Sequence, residues 1–154
     1  DKLSARAETL LMIASRAEHI DRVILPALER GAIVLCDRFK DSSIVYQGLA
    51  NDILKEEIDK SPEFALKNCE PDFTILLDIQ AETGIKRALD RNEGNQRFEQ
   101  KGKQFHNRIR DGYLTLAAIY PERIKVIDAS QSVQSISDEV NQLINPMLKD
   151  RRHK

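Results

Sequence analysis

Apolar residues at Leu3, Ala7, Leu10, Leu11, Ala14, Ala17, Ile20, Ile24 and Leu28 recur at spacings of three and four, which predicts one amphipathic helix from Leu3 to about Glu29. Pro26 has no N–H to donate and is expected to bend or tighten the last turn. Gly31 marks a turn, and Ala32-Ile33-Val34-Leu35, ending at Cys36, reads as a short strand. A helical stretch from Asn51 to Lys67 follows, with a break expected at Ser61-Pro62. Phe73 to Asp78 is a continuous apolar run, as in a strand covered on both faces. Glu82 to about Arg91 predicts a short basic helix, and Asn92 to Gly102 a polar, glycine-bearing, mobile segment. Helix is expected again from Lys103 to Ala118, a third strand at Lys125 to Asp128, and a closing amphipathic helix from Val133 to Leu148. Strands alternating with helices imply an α/β fold with a parallel sheet and flanking helices.

With 154 residues, 41% hydrophobic and 32% charged, the chain suits a single domain over 1–148 with a basic tail, 149–154, at a frayed end. A net charge of −1 argues against broad nucleic-acid affinity. No apolar stretch approaches the roughly 18 residues of a membrane span, and the start is polar, so no membrane partner is expected and the reading is cytoplasmic. Cys36 and Cys69 are too few for a disulfide framework and have no Cys/His cluster near them, so they read as buried thiols rather than a metal site. The chain opens at Asp1 directly into a helix, without a preceding strand, and the expectation is that a front segment belongs before it.

The chemistry concentrates in CDRFKDSSIVYQG, Cys36 to Gly48, just past the first strand. In parallel α/β sheets ligands bind outside the carboxyl ends of the strands. Arg38 offers a bidentate guanidinium for a phosphate or carboxylate, and Asp37 could hold that arginine or the metal on a phosphate. A plain Asp-Arg surface pair is the alternative. Ser42 and Ser43 could donate to a ligand or cap the next helix. Tyr46 and Gln47 present an aromatic face and an amide suited to a planar base, or serve packing. Met12 and Arg16, four apart, share a helical face and could address one ligand, although Arg16 could instead pair with Glu8 or Asp21. Lys86, Arg87, Arg91 and Arg97 bracket the glycine-bearing segment, either as a cationic loop closing over a polyphosphate or as a solvated face. His19, His106 and His153 fall at no metal-ligand spacing.

Taken together, RAEHIDRVILPALERGAIVLCDRF, DSSIVYQG, PDFTILLDI, RFEQKGKQFHNRIRDGYLTLA and VIDASQS resemble, in order, successive blocks of the bacterial thymidylate kinases, from about Ala7 to Ser132. The resemblance implies a P-loop kinase fold and transfer of the γ-phosphoryl of MgATP to dTMP. Such transfer rests mostly on positioning and charge stabilisation. It gives Arg38 the dTMP phosphate, with Asp37 supporting it and the Mg2+ environment. Arg16 would reach the same nucleotide. Ser43, with Ser42 beside it, and Gln47 would read the thymine edge, while Tyr46 and Tyr113 would lie near the deoxyribose pocket. Arg87, Arg91 and Arg97 would be lid residues, Arg91 and Arg97 acting on the transferring phosphoryl. Asp128, Ala129, Ser130 and Gln131 would lie on the adenine side. A homodimer paired through the Leu3 to Glu29 helix is implied too.

The sequence departs from that pattern at four places. Met12 stands where a thymine-stacking aromatic is usual, Leu89 where the middle lid arginine of some members falls, and Asn51-Asp52 where an arginine commonly follows Tyr-Gln-Gly. No G-x-x-x-x-G-K-[ST] occurs in the 154 residues, nor the second strand with its phosphate loop, so the first two strands of the fold are expected to be missing. The reading is therefore a thymidylate kinase lacking on the order of 50 front residues, by analogy with the strand, helix and strand that open the fold. Two alternatives are a truncated, non-catalytic homologue acting as a nucleotide-binding or dimerisation module, and a kinase of another deoxynucleoside monophosphate.

Overall fold

Ser4 opens the first helix: its hydroxyl accepts the Ala7 N–H at 3.2 Å, satisfying one of the donors that a helix start leaves without a partner. In this computed structural model, which describes residues 3–49, 69–90 and 102–151, α1 spans Ala5–His19, with Glu8 in its first turn and Arg16 and His19 in its last. That charge order matches the helix dipole. The helix does not continue in a single register to Glu29, as the periodicity predicts. Ile20–Ile24 forms a π-turn, in which the Leu25 N–H bonds the Ile20 carbonyl five residues back, before α2 resumes at Leu25–Glu29. Pro26 is the physical reason, because its ring crowds the carbonyl four residues earlier and it cannot donate, so a widened turn relieves both.

Gly31, at φ +77°, closes α2. Its N–H bonds the Leu28 carbonyl at 2.8 Å and the Ala32 N–H bonds that of Ala27 at 3.0 Å, the paired bonds of a left-handed helix stop. Ile20 and Ile24 are buried, and Leu25, Val34, Phe39 and Cys69 pack against them.

Ala32 to Cys36 is not a strand. Val34 and Cys36 are half-buried while Ile33 is 64% and Leu35 97% exposed, so the alternation of a strand is there. Its backbone, however, joins no ladder among the described residues, and a strand exists only through a neighbour's N–H and C=O groups. Two short helical turns follow, α3 at Lys40–Ser43 and a π-turn at Ile44–Leu49, with Val45 fully buried.

The predicted strands at Phe73 to Asp78 and Lys125 to Asp128 form, as β1 (Thr74–Asp78) and β2 (Ile124–Asp128). They pair in parallel from Thr74↔Ile124 to Asp78↔Asp128, so both chains leave the sheet at the same edge. Among the described residues the sheet has these two strands. β1 is not covered on both faces, because Leu77 remains 53% exposed. The helices α4 (Ala81–Asp90), α5 (Lys103–Ile119) and α6 (Val133–Arg151) flank it, α5 against both strands and α6 against β2. Ile109, Leu116, Ala117, Ile124, Ile127 and Ala129 supply its buried apolar side chains. Helix α6 runs past Leu148 to Arg151, through Pro146, so the first residues of the basic tail are helical, as cationic helix formers at a carboxyl end allow.

The chain divides into two compact units, Asp1–Pro71 and Asp72–Lys154. The expected helix at Asn51 to Lys67 lies outside the described residues. Among the described residues no helix is long and apolar enough to cross a membrane.

Candidate functional site

In the first unit, the residues singled out after Cys36 gather around one strained backbone position. Arg38 sits at φ +61°, the left-handed region that a side chain bearing Cβ enters at a cost of about 1 to 2 kcal/mol. Three contacts hold it there. The Cys36 thiol donates to the Arg38 carbonyl at 3.6 Å, the guanidinium lies 4.6 Å from the centre of the Tyr46 ring, and it donates to the Tyr46 hydroxyl. Strain maintained by specific contacts is a feature of ligand clamps. Arg38 and Asp37 are both exposed.

Behind this loop, the Arg16 guanidinium lies 5.7 Å from the centre of the Phe39 ring. Burial pulls the Arg16 pKa down, while Cys36 and Asp41 pull it up. The group remains a cation at neutral pH, and its partial removal from water strengthens any interaction with an incoming anion. Burial also pushes the Cys36 thiol up, against Arg16, which lowers it; Asp37 adds to the rise, so Cys36 stays a neutral hydrogen-bond donor.

Ser42 and Ser43 do not cap α3: the N-cap is Phe39, and both serines lie one turn inside, with Ser43 buried. Tyr46 and Gln47 lie on the π-turn, and the Gln47 side chain is outside the described part. Met12, 45% exposed, stands one turn before Arg16 on α1. Thr9 and Asp41, which the sequence reading passes over, are buried polar groups in this unit. Asp41 could have been flagged as the charged residue within a run that carries the other chemistry. Lys40 forms an ion pair with Glu70 and ties the start of α3 to the segment before β1.

In the second unit, Arg87 and the turn from Asp128 to Gln131 meet where β1 and β2 end. The Asp128 carboxylate accepts from the Ser130 side chain and from the Ser130 N–H, the latter at 2.8 Å, and those hydrogen bonds hold its pKa below the usual carboxylate value. The Ala129 N–H bonds the Asp78 carbonyl at 2.7 Å, and the Ala129 carbonyl accepts from the Arg87 guanidinium at 2.9 Å. Arg87 thus joins α4 to the turn after β2. Asp78 itself is gripped by Arg110 of α5, Nε to one oxygen at 2.7 Å and Nη2 to the other at 2.8 Å. This bidentate pair is absent from the sequence reading, although Asp78 ends a predicted strand and Arg110 lies in a matched block. Arg123 joins Thr74 at 3.0 Å, at the opposite end of β1. Tyr113 is half-buried on α5, and Leu89 is exposed on α4. Arg91 and Arg97 lie outside the described residues.

Among the described residues no three His, Cys, Asp or Glu side chains come together to hold a metal ion. An exposed single carboxylate such as Asp37 suits a cation that is already carried by phosphate oxygens and water.

The sequence profile described as Thymidylate kinase matches residues 1–140. A thymidylate kinase of Ligilactobacillus salivarius is 44% identical over 149 residues, a match covering 96% of this chain and 71% of that protein. One of Syntrophus aciditrophicus is 45% identical over 145 residues, covering 90% and 66%. The crystal structure of thymidylate kinase from Ehrlichia chaffeensis superimposes with a TM-score of 0.71 at 29% identity, over 94% of this chain and 66% of that one. The chain therefore spans about two thirds of the length of the proteins it matches.

Proposed function

The chain belongs to the thymidylate kinase family, nucleoside monophosphate kinases of P-loop fold, and on that premise we propose that its Arg38 loop binds the phosphate of dTMP for transfer of the γ-phosphoryl of MgATP, giving dTDP and ADP. The observation that carries the reading is Arg38 itself: an exposed guanidinium on a left-handed backbone, backed by the face and the hydroxyl of Tyr46. A pre-set fork of this kind holds a phosphate at two oxygens and spends little ordering entropy on doing so. Arg16, partly withdrawn from water, adds a second positive charge to the phosphate. Met12 packs on the thymine with a softer contact than an aromatic ring would give. Ser43 and Gln47 read the thymine edge beside Ser42, and Tyr46 supports Arg38 by the deoxyribose. In the second unit, Asp128 to Gln131 take the adenine side.

Asp37 is the carboxylate that would neighbour the Mg2+ carried by ATP, and the ion would supply neutralisation of the phosphate charge when bound. Arg91 and Arg97 supply positive charge to the transferring phosphoryl. The enzyme works in the cytoplasm as a homodimer paired through α1, whose Leu10 and Leu11 are exposed.

The test is steady-state phosphorylation of dTMP and dUMP by MgATP, using the protein at its full natural length. The expected result is turnover of dTMP in preference to dUMP. Binding of dTMP without turnover would favour the nucleotide-binding module, and preference for another monophosphate would reassign the substrate. Met12→Phe is expected to leave or improve the KM for dTMP, and a large loss would remove Met12 from the base site.

A further inference from the structure

The Arg87 guanidinium is bonded to the turn that follows β2, at the edge where both parallel strands end. Resting on the reading of 128–131 as the adenine side, we propose that Arg87 is a positioning residue, whose hydrogen bond to the Ala129 carbonyl holds Ser130 and Gln131 in the conformation that receives the adenine of ATP.

The argument is one of backbone accounting. Ala129 is buried and both of its peptide groups are bonded, its N–H to the Asp78 carbonyl and its carbonyl to Arg87. Asp78 is a firm anchor, because its carboxylate is held at both oxygens by Arg110. On the other side, the Asp128 carboxylate fixes the Ser130 N–H. The turn is therefore tied to β1, to α4 and to its own strand end, while Ser130 and Gln131 stay exposed. Of the three ties, only that of Arg87 comes from a helix leading toward the arginine-bearing segment 91–97. A pre-ordered turn costs a planar ligand less to bind than one that must be ordered on contact. One guanidinium N–H makes the bond, so a lysine ammonium can replace it.

The experiment compares Arg87→Met and Arg87→Lys with wild type at full natural length, by steady-state kinetics and by amide hydrogen exchange at Ser130 and Gln131. In Arg87→Met, exchange should quicken and the KM for MgATP should rise roughly 5- to 10-fold, the loss of one charge-assisted bond at a partly exposed site. The KM for dTMP and kcat should shift less than this, and Arg87→Lys should return the KM for MgATP to within about twofold of wild type. Unchanged exchange together with unchanged KM overturns the role of Arg87. Quickened exchange with an unchanged KM for MgATP overturns the adenine-side reading of 128–131, and the proposal with it. Equal losses in all three kinetic constants would make the bond merely structural and overturn the proposal as well.

Discussion

Two loops in this protein follow apolar segments of similar length and composition, and they are held in opposite ways. The turn after β2 inherits its geometry from a ladder: Asp78 and Asp128 end in register, and the next backbone N–H continues the pairing onto the Asp78 carbonyl. The loop after Cys36 has no ladder among the described residues and is fixed by side chains, with a thiol on the Arg38 carbonyl and a tyrosine against its guanidinium. A paired strand delivers its loop in relaxed geometry. An unpaired one places its critical residue at positive φ and needs contacts specific to that residue.

The largest way to break this contrast is in the apolar segments themselves. Ile127→Ala, at a fully buried strand position, should lower the stability of the chain by about 2 to 5 kcal/mol in urea denaturation. Leu35→Ala, at a position 97% exposed, should change it by less than about 0.5 kcal/mol. A comparable loss from both would show that Ala32 to Cys36 is paired in solution.

A smaller effect separates strain from contact at Arg38. Arg38→Ala and Arg38→Gly both remove the guanidinium, but only glycine enters the left-handed region freely. The glycine variant should be more stable than the alanine variant by about 1 kcal/mol. Equal stabilities would mean that the positive φ is not kept without the arginine.

The smallest effect is electrostatic and belongs to the turn after β2. The folded-state pKa of Asp128 lies below its unfolded value, so its contribution is fully present above the unfolded pKa and is lost as pH falls through the folded one. Amide exchange at Ser130, corrected for intrinsic rates, should therefore quicken only on the acid side of the normal carboxylate range. Asp128→Asn, which keeps an acceptor but cannot titrate there, should abolish that pH dependence.

The sequence reading reached β1, β2 and the three helices around them because each carries its own periodicity and a partner within the described chain. It misplaced Ala32 to Cys36 because alternation shows which faces a segment presents, while a strand depends on what lies beside it. The π-turn at Ile20–Ile24 was half legible: Pro26 announces a disturbance, and the change of hydrogen-bond register emerges only from packing Ile20 and Ile24 together. In the site, Arg38 and Tyr46 were legible as chemistry, whereas their stacking and the positive φ were not, since both depend on how the chain turns between them. The Arg110–Asp78 clamp escaped for a related reason: its two halves lie 32 residues apart, and pairing of that kind is written in the fold.

The central claim is that the Arg38 loop holds the phosphate of dTMP. The direct measurement is a calorimetric titration of dTMP and of thymidine into wild-type and Arg38→Ala protein at full natural length. The claim predicts that wild type binds dTMP far more tightly than thymidine, and that Arg38→Ala removes most of that difference, about 2 to 4 kcal/mol for a charge-assisted phosphate contact, while barely altering thymidine affinity. A preference for dTMP over thymidine that survives intact in Arg38→Ala would contradict it.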